Sequence, residues 1–248
     1  MKVLLITVAG SSTRFSKSIG KECLKCIYFV NSYKETLLYK TIFKDSSFDQ
    51  YIIVGGYKFD ELQAYADKYL STMKDKIVLL ENKHFYDYGS AYSLYMGIEY
   101  AVKCGFDQLV FAEGDLWVDN ESFENVSKSE TDVITFNRES IDAQKSVVFY
   151  YDTGDRVHYL YATNHNCLQI NEPFISVYNS GQIWKFIDYK KVNDILKEMS
   201  IKDWYGTNLV FIQKYFGGTN RKNYQLVEFK EWYNCNTVYD YNKIAEKN

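Results

Sequence analysis

The stretch Lys2-Val3-Leu4-Leu5-Ile6-Thr7-Val8, followed at once by Ala9-Gly10-Ser11-Ser12-Thr13, decides how the chain is read. An unbroken apolar run of strand length that stops at small residues describes a strand buried on both faces, as in parallel sheets. Parallel neighbours need crossover connections, and the following residues supply them. Leu37, Leu38, Ile42 and Phe43 recur at helical spacing within 36–43. Tyr51, Ile52, Ile53 and Val54 form a short run closed by Gly55 and Gly56. Leu62, Tyr65, Ala66, Tyr69, Leu70 and Met73 share one face of a helix expected over 59–73. A strand is expected at 77–80, a helix over 91–102 that Gly105 caps, and a strand at 109–112 running into Glu113-Gly114-Asp115. This alternation predicts an α/β fold, a Rossmann-like, mostly parallel sheet with helices on both faces.

The second half changes character. Strands are expected at 132–136, 146–151, 156–162, 174–178 and 224–229, with a helix at 192–199. Asp152-Thr153-Gly154-Asp155 reads as the turn of a hairpin between two of these strands. No linker, repeat or low-complexity tract interrupts the chain. One domain is expected over 1–248, in which 121–248 adds an antiparallel extension and a pocket wall to the parallel half at 1–120.

Composition narrows the function. Lys and Arg number 29 against 32 Asp and Glu, so the net charge of −3 leaves no basic footprint for nucleic acid. No apolar run approaches the roughly 18 residues of a membrane span, and the N-terminal run is too short for a secretory signal. A cytoplasmic protein with no membrane partner is the expectation, either monomer or homodimer. The five cysteines, an odd number, are expected as reduced thiols. Cys23 and Cys26 form a lone CxxC with no second pair at metal spacing, and they read as small apolar fillers, with Cys104, Cys167 and Cys235 buried as well. The 24 tyrosines serve ordinary packing, or line a pocket for a flat or cationic ligand.

In open α/β sheets ligands collect beyond the carboxyl ends of the strands. Two such ends are polar here. Ala9-Gly10-Ser11-Ser12-Thr13-Arg14 is either a turn or a loop whose N–H groups curl around phosphate beside the Arg14 charge. It is neither a Walker A loop nor a GxGxxG loop. Glu113-Gly114-Asp115 offers either a turn-capping Asp or a carboxylate that holds a divalent ion. Asp203-Trp204-Tyr205 is either a helix cap followed by core aromatics or a box for a quaternary ammonium.

Read in order, Ala9 through Arg14, Leu24-Lys25-Cys26-Ile27, Glu35-Thr36-Leu37-Leu38, Asn82, Tyr88-Gly89-Ser90-Ala91-Tyr92-Ser93-Leu94, Glu113-Gly114-Asp115 and Val238-Tyr239-Asp240-Tyr241 form a series. It resembles the motif series of GT-A-like nucleotidyltransferases, the sugar-phosphate nucleotidyltransferase group. Tyr92 to Tyr95 and the tail at 203–241 look most like bacterial phosphocholine cytidylyltransferases. Three positions depart from the pattern. Ser12 stands where the loop signature has Gly, Leu24 replaces the proline before the lysine (with Lys21 as a rival lysine), and Asn236 stands where an acidic metal ligand is expected.

The resemblance implies nucleotidyl transfer: an acceptor phosphate oxygen attacks the α-phosphorus of a nucleoside triphosphate, CTP favoured, and pyrophosphate leaves. The anionic nucleophile needs no general base, so positioning and charge neutralisation carry the rate. Arg14, Lys25 and Asp115 are the implied catalytic residues. Ala9, Gly10, Ser11, Ser12, Thr13 and Arg14 would hold the phosphates; Gly89, Ser90 and Gly114 complete the nucleotide site. Asp115 would hold Mg²⁺, with Asn236 or Asp240 as second ligand. Asp203, Trp204 and Tyr205 fall in the acceptor pocket, which admits phosphocholine, a related amine phosphate or a phosphonate. Two alternatives stay open: a sugar-1-phosphate enzyme using UTP or another triphosphate, and a nucleotide-binding protein that has lost its metal. A GT-A glycosyltransferase would carry DxD, whereas the next acid after Asp115 is Asp119.

Overall fold

The structure is a computed structural model that describes residues 1–144, 146–160 and 167–247. In chain order the first half comprises β1 (Lys2–Thr7), α1 (Thr13–Ile19), α2 (Leu37–Ile42), β2 (Gln50–Gly55), α3 (Phe59–Tyr69), β3 (Ile77–Glu81), α4 (Ser90–Cys104), β4 (Gln108–Glu113) and β5 (Leu116–Val118). The second half comprises α5 (Asn120–Lys128), β6 (Val133–Asn137), β7 (Val148–Asp152), β8 (Val157–Tyr159), β9 (Phe174–Phe186), α6 (Tyr189–Glu198), α7 (Ile201–Trp204), α8 (Leu209–Phe216), β10 (Gln225–Glu228), β11 (Trp232–Asn234) and α9 (Val238–Ala245).

One nine-stranded sheet takes strands from both halves, in the order β10-β6-β9-β4-β1-β2-β3, with β7 and β8 extending from β9. Strands β3, β2, β1 and β4 are parallel neighbours, as the apolar runs predict. Strand β9 then runs antiparallel between β4 and β6, and β10 is parallel to β6. A separate pair, β5 and β11, is antiparallel. The sheet is therefore mixed and mostly parallel in its first half, with the expected antiparallel extension.

Period-two alternation feeds both faces. Val3 and Leu5 join the core under α4, α6 and α8, while Leu4, Ile6 and Val8 join the core under α2, α3 and α5. A smaller cluster of Phe15, Leu37, Trp117, Cys235, Tyr241 and Ile244 ties α1 to α9. Because β1 is flanked by β2 on one side and β4 on the other, the connections leaving these strands part at the β1/β4 edge. That divergence opens a crevice at the carboxyl ends.

Three expectations need correction. The helix over 59–73 stops at Tyr69, and a tighter 3₁₀ segment, Ser71–Lys76, carries Met73. The strand at 156–162 is β8 over Val157–Tyr159; Tyr161 and Ala162 lie outside the described residues. Cys104 and Cys167 are exposed rather than buried, because Cys104 ends α4 at the surface; Cys26 and Cys235 are buried, and all five thiols are free.

Candidate active site

The crevice is a pocket lined on one side by Thr7, Val8, Ala9, Gly10 and Ser12 after β1, and on another by Glu113, Gly114 and Asp115 after β4. Leu24, Lys25 and Cys26 form its floor beside Ser12, and Tyr88, Gly89, Ser90 and Asn208 close the far side.

Backbone geometry explains the first wall. Ser12 is in the left-handed region (φ 53°, ψ 24°), the conformation that favours the Gly of the resembled signature. It holds there because its carbonyl accepts from Ser16 N–H (2.8 Å) and its Oγ accepts from Lys25 N–H (3.1 Å). Gly10, by contrast, has open space where a Cβ would sit. Gly114 does not: a Cβ there would lie 2.2 Å from Val8 Cγ1 and 2.8 Å from the Thr7 carbonyl, so the turn after β4 packs directly on β1.

Lys25 Nζ donates to Asp115 Oδ2 at 3.0 Å, an ion pair that joins the two walls. Asp115 Oδ1 is buried and has no hydrogen-bond partner among the described residues. Asn208, which sequence reading did not single out, is buried and donates from Nδ2 to Glu113 Oε1 at 2.6 Å. Asn208 is fixed in turn by its own N–H, which donates to Ser90 Oγ at 3.0 Å. Burial and the neighbouring Asp115 charge push the Glu113 carboxyl above its ordinary range. Cys26 also lines the pocket, but burial pushes its thiol up to about 12, so it supplies no nucleophile. Asn82 also lines the pocket, where its Nδ2 donates to Ser93 Oγ and its Oδ1 accepts from His84 N–H.

Gly89 is the N-cap of α4, and a Cβ on it would lie 2.0 Å from the Gly206 carbonyl. The close approach that requires glycine is thus to the 204–206 loop. Gly89 N–H donates to the Trp204 carbonyl and Ala91 N–H to that of Gly206, so this loop caps the first turn of α4.

Several expected site residues do not line the pocket. Thr13 and Arg14 are exposed on the first turn of α1, because the turn at Ser12 buries Phe15 and faces its neighbours outward. Ser11 Oγ bonds the Thr13 hydroxyl instead. Asp203 accepts from Ser200 N–H and Oγ, which makes it the capping-box partner of Ser200 at the start of α7. Trp204 is packed among Tyr88, Tyr92 and Tyr95 at 5.0–5.6 Å between ring centres, while Tyr205 is 65% exposed and meets the edge of Tyr88. Asn236 spends its side-chain amide on Asn234 Oδ1 (2.8 Å) and its N–H on Asp240 Oδ2.

Among the described residues no cluster of three or more His, Cys, Asp or Glu is placed to hold a metal. The pocket nevertheless suits a hard cation that keeps substrate oxygens in its shell, since Asp115 Oδ1 is a buried oxygen with nothing bonded to it. No helix among the described residues is long and apolar enough to cross a membrane.

A family model described as a domain of unknown function (DUF6564) matches residues 21–248. No curated protein matches the chain in sequence. Solved structures do match its fold. An inositol-1-phosphate CTP transferase from T. maritima is 15% identical with a TM-score of 0.66, over 100% of this chain and 97% of that one. A CTP:phosphocholine cytidylyltransferase from Streptococcus pneumoniae is 15% identical with a TM-score of 0.60, over 99% of each chain. A UDP-glucose pyrophosphorylase solved with UDP-glucose is 14% identical with a TM-score of 0.65, over 99% of this chain and 97% of that one. The chain has the fold of GT-A-like nucleotidyltransferases.

Proposed function

The chain belongs to the DUF6564 family, and we propose that it is a nucleotidyltransferase that moves a nucleotidyl group from a nucleoside triphosphate to a small phosphorylated acceptor, releasing pyrophosphate. The observation that carries this reading is the Lys25–Asp115 pair at the β1/β4 edge, beside a buried carboxylate oxygen without a partner. The fold it shares with enzymes of that activity supports it.

In the reaction an acceptor phosphate oxygen forms a bond to the α-phosphorus as the bond from that phosphorus to the bridging oxygen of pyrophosphate breaks. The acceptor oxygen is already anionic, so the protein's work is to hold two anions together. Lys25 supplies the positive charge nearest the reacting phosphate, and the Ser12 hydroxyl fixes the backbone that carries it. The Ala9 to Ser12 loop offers backbone donors to the outer phosphates. Arg14 reaches them only if its exposed side chain turns toward the loop. Asp115 would hold Mg²⁺, which when bound neutralises the phosphate charge. Gly89 and Ser90 would line the base.

CTP as donor and phosphocholine or a related amine phosphate as acceptor form the finer part of the proposal. The acceptor is supported by Tyr88, which lines the pocket with Trp204 and Tyr205 packed on it from outside and is suited to a cationic head group. CTP rests on the resemblance of the Tyr88 to Leu94 segment. The test is to incubate the chain and Mg²⁺ with CTP, UTP, ATP or GTP and with phosphocholine or glucose 1-phosphate. Pyrophosphate release and product mass are then read. The expected product is CDP-choline or a close analogue. A UDP-sugar would establish the sugar-1-phosphate alternative, and no pyrophosphate from any pair would leave a nucleotide-binding protein without turnover.

A further inference from the structure

Neither residue expected as the second metal ligand lines the pocket. Asn236 does not line the pocket, and its amide nitrogen is held by Asn234. Asp240 Oδ2 accepts from Asn236 N–H (3.0 Å), Thr237 N–H (2.8 Å) and Thr237 Oγ1 (2.9 Å), which commits it to capping α9. A second carboxylate does line the pocket two residues before Asp115. Glu113 is held in place through Oε1 by Asn208, and Asn208 is anchored to Ser90. Among the described residues the pocket thus contains two carboxyl groups and one ammonium, that of Lys25, which already pairs with Asp115 Oδ2. Asp115 Oδ1 remains buried and, among the described residues, unbonded. Magnesium sites in phosphoryl enzymes commonly use one or two carboxylates, with water and substrate phosphate filling the remaining positions.

We propose that Glu113, not Asn236, is the second carboxylate of the cation site whose first is Asp115, an assignment that rests on the nucleotidyl-transfer reading. Asn236 is then free to be neutral, because the charge its position lacks is supplied from the end of β4. Asn208 is the positioning residue that holds the Glu113 carboxylate toward the pocket.

The test uses Mn²⁺ alone, followed by loss of its free electron paramagnetic resonance signal on titration with the full chain, without nucleotide or acceptor. The wild type is expected to bind one Mn²⁺. Glu113→Gln, which keeps the Asn208 hydrogen bond but puts a neutral amide where a carboxylate would bind the cation, should raise the Mn²⁺ Kd roughly tenfold or more, as ligand charge sets affinity for hard cations. Glu113→Asp, which keeps the charge, should recover part of the loss, and Asn236→Ala should leave Kd within about twofold. Thermal melts of each variant separate lost binding from lost fold. Weakening by Asn236→Ala with none by Glu113→Gln overturns the assignment, as does a wild type that binds no Mn²⁺. Turnover is not part of this readout, so the ligand assignment and the nucleotidyl-transfer reading can fail separately.

Discussion

Ser12 carries two opposed effects in one residue. Its left-handed backbone costs a non-glycine residue about 1–2 kcal/mol, while its hydroxyl holds the Lys25 backbone. Ser12→Ala keeps the strain and loses the bond, so it should destabilise the chain by about 1 kcal/mol, or about 2–4 °C in Tm for a chain of this size. Ser12→Gly loses the same bond but relieves the strain, and should melt above Ser12→Ala. Both should slow pyrophosphate release, since neither fixes Lys25. Thermal melts beside turnover check this, and a Gly variant less stable than the Ala variant would contradict it. Residue by residue, the sequence was legible where chemistry and strand ends coincide: Ala9, Gly10, Ser12, Lys25, Gly89, Ser90, Gly114 and Asp115 all line the pocket. Glu113 and Asn208 escaped attention for different reasons. Glu113 read as the strand end leading into Asp115, to which the metal role was given, and Asn208 reaches the site only through the fold, 95 residues from its partner.

At the scale of elements, the first turn of α4 and the 204–206 loop behave as one unit. Gly89→Ala would push a methyl group into the Gly206 carbonyl, and backbone on both sides would have to move. That variant should lose more than about 2 kcal/mol of stability, with a lowered Tm in calorimetry. Gly10→Ala, which meets open space, serves as the control and should melt close to wild type. A Gly89→Ala chain as stable as the wild type would mean that the loop does not sit against α4. The long apolar runs β1, β2 and β4, together with α3 and α4, were readable because packing on both faces leaves a strong pattern. Helix α5 was not, since only Phe123 and Val126 mark its buried hydrophobic side. The second half of β9 was hidden too, because Asn179-Ser180-Gly181-Gln182 looks like a turn. The strand continues through it, with Gln182 at φ 57° and Gly181 too close to Phe229 and Thr135 for a side chain.

Across the whole molecule, the sheet brings together residues from three distant stretches. Strand β1 delivers the small-residue loop, β4 delivers Glu113 and Asp115, and the 24–26 turn delivers Lys25 against both. A charge arrangement assembled this way has no role in the apolar core. It makes sense as a device for holding phosphates, and its removal should cost turnover rather than fold. The direct test is steady-state pyrophosphate release, with the best donor and acceptor, by the wild type and by Lys25→Ala, Asp115→Asn and Lys21→Ala, each with its melting curve. The prediction is a loss on the order of a hundredfold or more for Lys25→Ala, as for other electrostatic stabilisers, and a loss at least as large for Asp115→Asn. Lys21→Ala, an exposed lysine outside the pocket, should turn over as the wild type does. Full turnover by a folded Lys25→Ala chain, or its loss in Lys21→Ala, would contradict the assignment of this pocket as the site of transfer.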